Sequence, residues 1–285
     1  MKLEGFMYLN IDNPLVAWNA YRGVLISQKL VQQSVGNPLV PALSMTVANF
    51  FMNRDWERLE FENELEMERE RNFPKKVSRL TGLFVFDEPE SALAVADNES
   101  WGGAKGHIQD DNLTDIGISA APNYTRLDAN WISWMLKLRS EGNLDWRSGI
   151  FSYWAGDICP HFSQPIWEGL LDGAVTIWGT ELRHRAYASL KKRSPSTVCL
   201  LELSRIAASL NSDLGHISAL VTRENGRQLM SFHIDMQDGN DENFLDRFGK
   251  YINENPTLVN FNDLAVGGEE MRLPEFVSYS YVFGS

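Results

Sequence analysis

The side chain best placed to do chemistry in this sequence is Glu168. It follows a loop containing Pro160 and Pro165 and leads through Gly169-Leu170-Leu171 into the strand-like Ala174-Val175-Thr176-Ile177-Trp178. Loops expose functional groups and buried strands hold them still, so a carboxylate at such a junction suits catalysis. A surface Glu ahead of a strand is the plainer alternative. Glu181 is a second carboxylate in reserve, with Glu269 and Glu270 beside Arg272 more remote. Cys159-Pro160-His161 sets a thiol near an imidazole, but no further His or Cys completes a metal spacing. Asp238-Gly239 lies in an acidic stretch without the Gly and Glu positions of a calcium loop. Gly102-Gly103-x-x-Gly106 lacks the Lys and Ser or Thr of a phosphate loop. No metal site is expected.

The elements around these residues read as follows. Phe6 to Asn10 forms a first strand, and Asp12-Asn13-Pro14 opens a helical region interrupted at Pro38 and Pro41. Asp55 caps a charged helix from Trp56 to Arg71, whose glutamates, Glu62 among them, read as a solvated face. Val77 to Phe86 alternates as a strand, with Arg79 on one face, and Asp87-x-x-Glu90 supplies a capping box for a short helix to Ala96. An extended segment covers about Asp111 to Ala120. From Asp128 a helix sets Trp131, Trp134, Met135 and Leu138 at core spacing. After Ser194-Pro195-Ser196 the order is strand Thr197–Leu203, helix Ser204–Asn211, strand His216–Thr222, an Asn225-Gly226 hairpin, strand Gln228–Asp235, helix Asp241–Asn253 and strand Phe276–Phe283. That is a β-α-β-β-α-β domain.

Four stretches, taken in order, resemble a bacterial domain family within the diphtheria-toxin-like group of the ADP-ribosyltransferase superfamily. They are Glu60-Phe61-Glu62 with Arg69 to Pro74 running into Val77-Ser78-Arg79-Leu80 and Phe84-Val85-Phe86; Arg126-Leu127-Asp128-x-x-Trp131; Tyr153-Trp154-x-Gly156; and Pro165-Ile166-Trp167-Glu168. The resemblance covers about residues 1 to 190. It implies an α+β fold, a split β-sandwich ADP-ribosyltransferase-like domain over 1–192 with a helical N-terminal insertion. The small domain over 197–285 would recognise a target or partner. It also implies NAD as co-substrate. Glu168 would stabilise the oxocarbenium-like transition state as catalytic carboxylate. Arg79 would grip the pyrophosphate, although a structural pairing with a carboxylate is the alternative. Tyr153 or Trp154 would stack on nicotinamide, with core packing as the alternative. The first-strand His usual in this group is absent: Tyr8-Leu9-Asn10 stands there, and Tyr8 or Asn10 would bond the adenosine-side ribose.

The expected activity is mono-ADP-ribosyl transfer from NAD to a macromolecular acceptor, protein or nucleic acid, in a toxin or defence setting with an antitoxin or regulatory protein as further partner. A catalytically inactive binding module and an NAD glycohydrolase are the alternatives. A net charge of −12 disfavours broad affinity for a phosphate backbone, although Arg183, Arg185, Lys191, Lys192 and Arg193 cluster locally. No apolar run approaches the roughly 20 residues of a membrane span. Met1-Lys2-Leu3-Glu4 does not open a secretory signal. Two cysteines without a pairing motif fit a reducing cytoplasm.

Overall fold

In a computed structural model of the chain, residues 4–30, 42–97, 108–224, 227–260, 262 and 276–282 are described. Helices and antiparallel sheets occur together, an α+β composition. The chain falls into two compact units. The described residues of the first are 4–10, 25–30, 44–97 and 108–179; those of the second are 11–24, 42–43 and the described part of 180–282. This differs from the expected boundary at 192–197, because the helix over Thr180–Arg193 belongs with the later unit and so does the early helix over Pro14–Arg22.

The first unit contains β1 (Glu4–Tyr8), most of β2 (Val24–Ile26), β3 (Leu83–Val85), β4 (Leu113–Asp128) and β5 (Trp167–Ile177). β4 is the spine: its start pairs with β1 and its length with β5, which in turn pairs with β2 and β3. Reciprocal backbone bonds between Phe6 and Phe86 then join β1 to the end of β3, closing the circuit β1-β4-β5-β3. The closure needs Gly5, where a Cβ would lie 2.7 Å from the Phe86 carbonyl oxygen. β4 runs eight residues past the expected end at Ala120. Its register shifts between Ile118 and Asn123, and that irregularity accommodates Pro122, which cannot donate to a regular ladder.

Between the strands of this unit lie α2 (Met45–Asn53), α3 (Trp56–Asn72), α4 (Pro89–Ala96), α5 (Asn130–Ser140) and α6 (Ser148–Ala155). Asp55 caps α3 by accepting from the Arg58 amide, and the Trp131, Met135 stripe of α5 enters a core with Phe61, Leu65, Tyr153 and Trp154. Two local expectations change. Residues 77–82 form a turn and not the start of a strand: Ser78 Oγ accepts from the Leu80 amide and the Ser78 carbonyl from Gly82. Glu88 is the N-cap of α4 but its side chain does not cap it; Asp87 and Glu88 pair with Arg126 instead of forming a capping box. Tyr153 and Trp154 lie on a helix.

The second unit contains α1 (Pro14–Arg22), α7 (Thr180–Arg193), α8 (Val198–Ser209), α9 (Glu242–Glu254) and a three-stranded antiparallel sheet of β6 (Ile217–Glu224), β7 (Arg227–Asp235) and β8 (Phe276–Val282). The expected strand Thr197–Leu203 is the first half of α8, so the order is α-β-β-α-β and not β-α-β-β-α-β. A short continuous apolar run does not distinguish a buried strand from a buried helix, and Leu200-Leu201-Glu202-Leu203 is good helix material. The Asn225-Gly226 turn lies outside the described residues, while Glu224 and Arg227 pair on either side of it. α1 is buried throughout, with Trp18 Nε1 donating to the Gly215 carbonyl at 2.8 Å and Tyr21 to Glu202 Oε2 at 2.8 Å.

His216, beside this helix, is pushed down to about 3, chiefly by burial and secondarily by the nearby Arg22 charge. Its folded value lies below the ordinary 6.5, so the neutral ring stabilises the unit above that value, and the stabilisation is lost as pH falls from 6.5 towards 3. A His216→Gln variant is expected to lack this slope. Between about pH 7 and about pH 4, urea midpoints should show the wild type losing about 3 kcal/mol more than the variant. Parallel losses in the two proteins would show that His216 does not carry the acid sensitivity.

Candidate functional site

The turn before β3, helix α6, helix α3 and the start of β5 bring four polar side chains together inside the first unit. Glu168 stands opposite Leu127 of β4 in the ladder, on the strand itself and not ahead of it. Its Oε1 accepts from Arg79 Nη1 at 2.5 Å and from the Tyr153 hydroxyl at 2.7 Å. Arg79 Nη1 also lies 2.8 Å from the Tyr153 oxygen, and the guanidinium packs over the rings of Phe84 and Tyr153. On its other side Arg79 donates through Nε and Nη2 to Glu62 Oε2 and Oε1, at 2.8 and 3.2 Å. Arg58, one turn earlier on α3, reaches Glu62 Oε1 at 3.0 Å.

Glu62, Arg79, Tyr153 and Glu168 are each at most 2% exposed. Arg58 and Arg79 balance Glu62 and Glu168 in formal charge, which is how charge is tolerated away from water. Burial is the largest influence on each carboxyl, but the outcomes differ. Two guanidiniums hold Glu62 below its ordinary value. Glu168 shares Arg79 with Glu62 and is pushed up. The Tyr153 hydroxyl is held neutral by burial. Glu168 Oε2 is buried and has no hydrogen-bond partner. A desolvated carboxyl with one satisfied and one open oxygen is the kind of group that functional sites maintain.

The residues named from sequence therefore separate into two sets. Arg79, Tyr153 and Glu168 meet; Trp154, Tyr8 and Asn10 have other partners. Trp154 is fully buried, with its indole donating to the Leu65 carbonyl, and packs in the core. The Tyr8 hydroxyl donates to the Ala92 carbonyl and its ring packs against Phe86. Asn10, half-buried beyond β1, donates to Asn49 Oδ1. Arg79 faces carboxylates, the alternative to gripping a pyrophosphate. Glu62 is the residue missed: on a helix crowded with acids it reads as solvated, and only its place on the same face as Phe61 and Leu65 hints at burial. Glu181 is exposed on α7, and Glu269, Glu270, Arg272 and Gly102-Gly103 lie outside the described residues.

The remaining motif residues secure the approach to Glu168. Asp128, fully buried, accepts from the backbone amides of Asn130, Cys159 and Ile166, and Trp131 Nε1 donates to the Asp157 carbonyl. Together they pin both ends of the segment from 157 to 166. Cys159 is buried, which pushes its thiol up, while the His161 ring stacks on Trp134 with centroids 4.6 Å apart. A buried thiol pushed up in this way is a poor nucleophile. Among the described residues no group of His, Cys, Asp or Glu is arranged to hold a metal, and no helix is long and apolar enough to cross a membrane. No protein-family model and no curated protein matches the chain.

Proposed function

We propose that the chain cleaves NAD and transfers ADP-ribose to a macromolecular acceptor, with Glu168 as the catalytic carboxylate. The observation that carries this reading is the convergence of Arg79, Tyr153 and Glu168, from three distant segments, on a carboxyl whose second oxygen is open. The ordered motif set and the closed circuit β1-β4-β5-β3 support an ADP-ribosyltransferase-like split sandwich as the scaffold.

In the reaction the bond between the ribose carbon and the nicotinamide nitrogen breaks, and its electron pair leaves with nicotinamide. An acceptor nucleophile forms the new bond to that carbon and gives up its proton. Glu168 would face the developing positive charge and accept a ribose hydroxyl through Oε2. Arg79 and Tyr153 would fix Oε1 and so set the direction of the carboxyl. Tyr8 or Asn10 of the first-strand segment would bond the adenosine-side ribose on exchanging its present contact, with Ala92 or with Asn49. Glu168 is 1% exposed, so NAD entry requires its covering groups to move. A toxin or defence effector held by an antitoxin or regulatory protein is the setting we favour.

The same closure favours a second reading, in which the cluster is a buried strut and the chain a binding module without turnover. Purified protein incubated with NAD labelled in its adenosine half separates the possibilities. Label joined to protein or nucleic acid supports transfer, free ADP-ribose means hydrolysis to water, and intact NAD rejects the enzymatic reading.

A further inference from the structure

We propose that Glu62 is a positioning residue for Glu168, acting through Arg79: it occupies the forked side of the guanidinium and thereby keeps one Glu168 oxygen open to a ligand hydroxyl. The inference rests on the reading of Glu168 as the working carboxylate, but its geometry stands apart from any turnover. An arginine beside a lone carboxylate commonly binds it with two parallel N–H bonds, which would occupy both oxygens. Here that two-nitrogen contact goes to Glu62, through Nε and Nη2. Glu168 receives only Nη1, at Oε1, where the Tyr153 hydroxyl also donates. Oε2 is left buried and without a partner.

Arg58 completes the arrangement. At the i−4 position on α3 it holds Glu62 Oε1 through Nη2 at 3.0 Å and Nε at 3.2 Å, so the Glu62 carboxylate is clamped between two guanidiniums. Its own side chain is 18% exposed, and it forms the outer edge of the cluster. The charged and titratable groups facing Glu168 are thus Arg79 from the turn before β3, Tyr153 from α6, and Glu62 with Arg58 from α3. Removing the charge of Glu62 frees two Arg79 nitrogens to turn toward Glu168.

The test is a carbon-13 NMR titration of the Glu168 carboxyl in the full chain, assigned by its loss in Glu168→Gln. It is run on the wild type, Glu62→Gln and the charge-balanced pair Arg58→Met with Glu62→Gln. We expect Glu168 to bind its proton about tenfold more weakly in either variant, because Arg79 then faces one carboxylate instead of two. NAD cleavage measured alongside should fall in kcat with KM little changed, since the open oxygen is lost while the rest of the site stays. The double variant covers the case in which Glu62→Gln alone leaves Arg58 uncompensated and unfolds. An unchanged or higher Glu168 titration in a folded variant overturns the proposal. Absence of NAD cleavage by the wild type overturns the enzymatic reading alone, because the titration still decides what Glu62 does.

Discussion

Glu168→Gln is expected to keep the fold and to lower NAD turnover by about 10²–10³-fold, the usual cost of losing one preorganised electrostatic partner of a transition state. The amide has the volume of the carboxyl and an oxygen that still accepts from Arg79 Nη1 and the Tyr153 hydroxyl. What disappears is the negative charge opposite the developing cation. Stability should move differently. Burial pushes the Glu168 carboxyl up, so the folded state prefers it protonated. As pH rises from the ordinary carboxyl value through this raised one, the wild type loses stability that the amide variant never had. Urea midpoints measured on both sides of that window should therefore shift in favour of the variant at the higher pH. Undiminished turnover would remove Glu168 from the mechanism, and a collapsed midpoint would assign it to the scaffold.

Arg79→Met is expected to cost about 3–5 kcal/mol of stability, because it strands two buried carboxylates that shared one cation. Methionine fills much of the volume between Phe84 and Tyr153, so cavity formation adds little. Arg79→Lys should fall between the two, since an ammonium keeps the charge but cannot present three donors in one plane. Adding Glu168→Gln to Arg79→Met should recover part of the loss, as the pair is in direct contact and its effects do not add. Denaturant unfolding of the four proteins measures each step. A loss below about 1 kcal/mol in Arg79→Met would mean that the cluster rearranges freely, and the fixed geometry assigned to Glu168 would fail with it.

Much of the site is legible in the sequence because each participant sits beside a local signal. Glu168 follows Pro165 into an apolar strand, Tyr153 precedes the helix-ending Gly156, and Arg79 stands between Ser78 and Gly82. Their convergence is not legible, since it depends on which strand lies beside β5, and that is a long-range pairing. Glu62 is hidden by the opposite problem: a helix with Glu57, Glu60, Glu64, Glu66, Glu68 and Glu70 gives no reason to single out one acid. Its burial follows from the register of Phe61 and Leu65 against the core. In the fold, α3 is readable from its cap and length, whereas the first half of α8 reads as a strand because burial on all sides erases periodicity. The extension of β4 past Pro122 escapes a sequence reading because a proline ordinarily ends a strand.

The early helix α1 has a consequence for how the protein is made. Its apolar residues Leu15, Val16, Trp18 and Tyr21 are buried in a unit whose other described members begin at Ala42 and Thr180, and its partners Glu202, Ser212 and Gly215 come far later still. At about 5–20 residues per second, a ribosome needs roughly 10–40 s to deliver those partners after α1 emerges. For that interval an adhesive segment waits without those partners, a natural client for a holding chaperone. The same threading means that a single scission at the Gly179–Thr180 junction yields no intact half: the leading fragment carries an orphan helix, and the trailing fragment lacks the one that fills it.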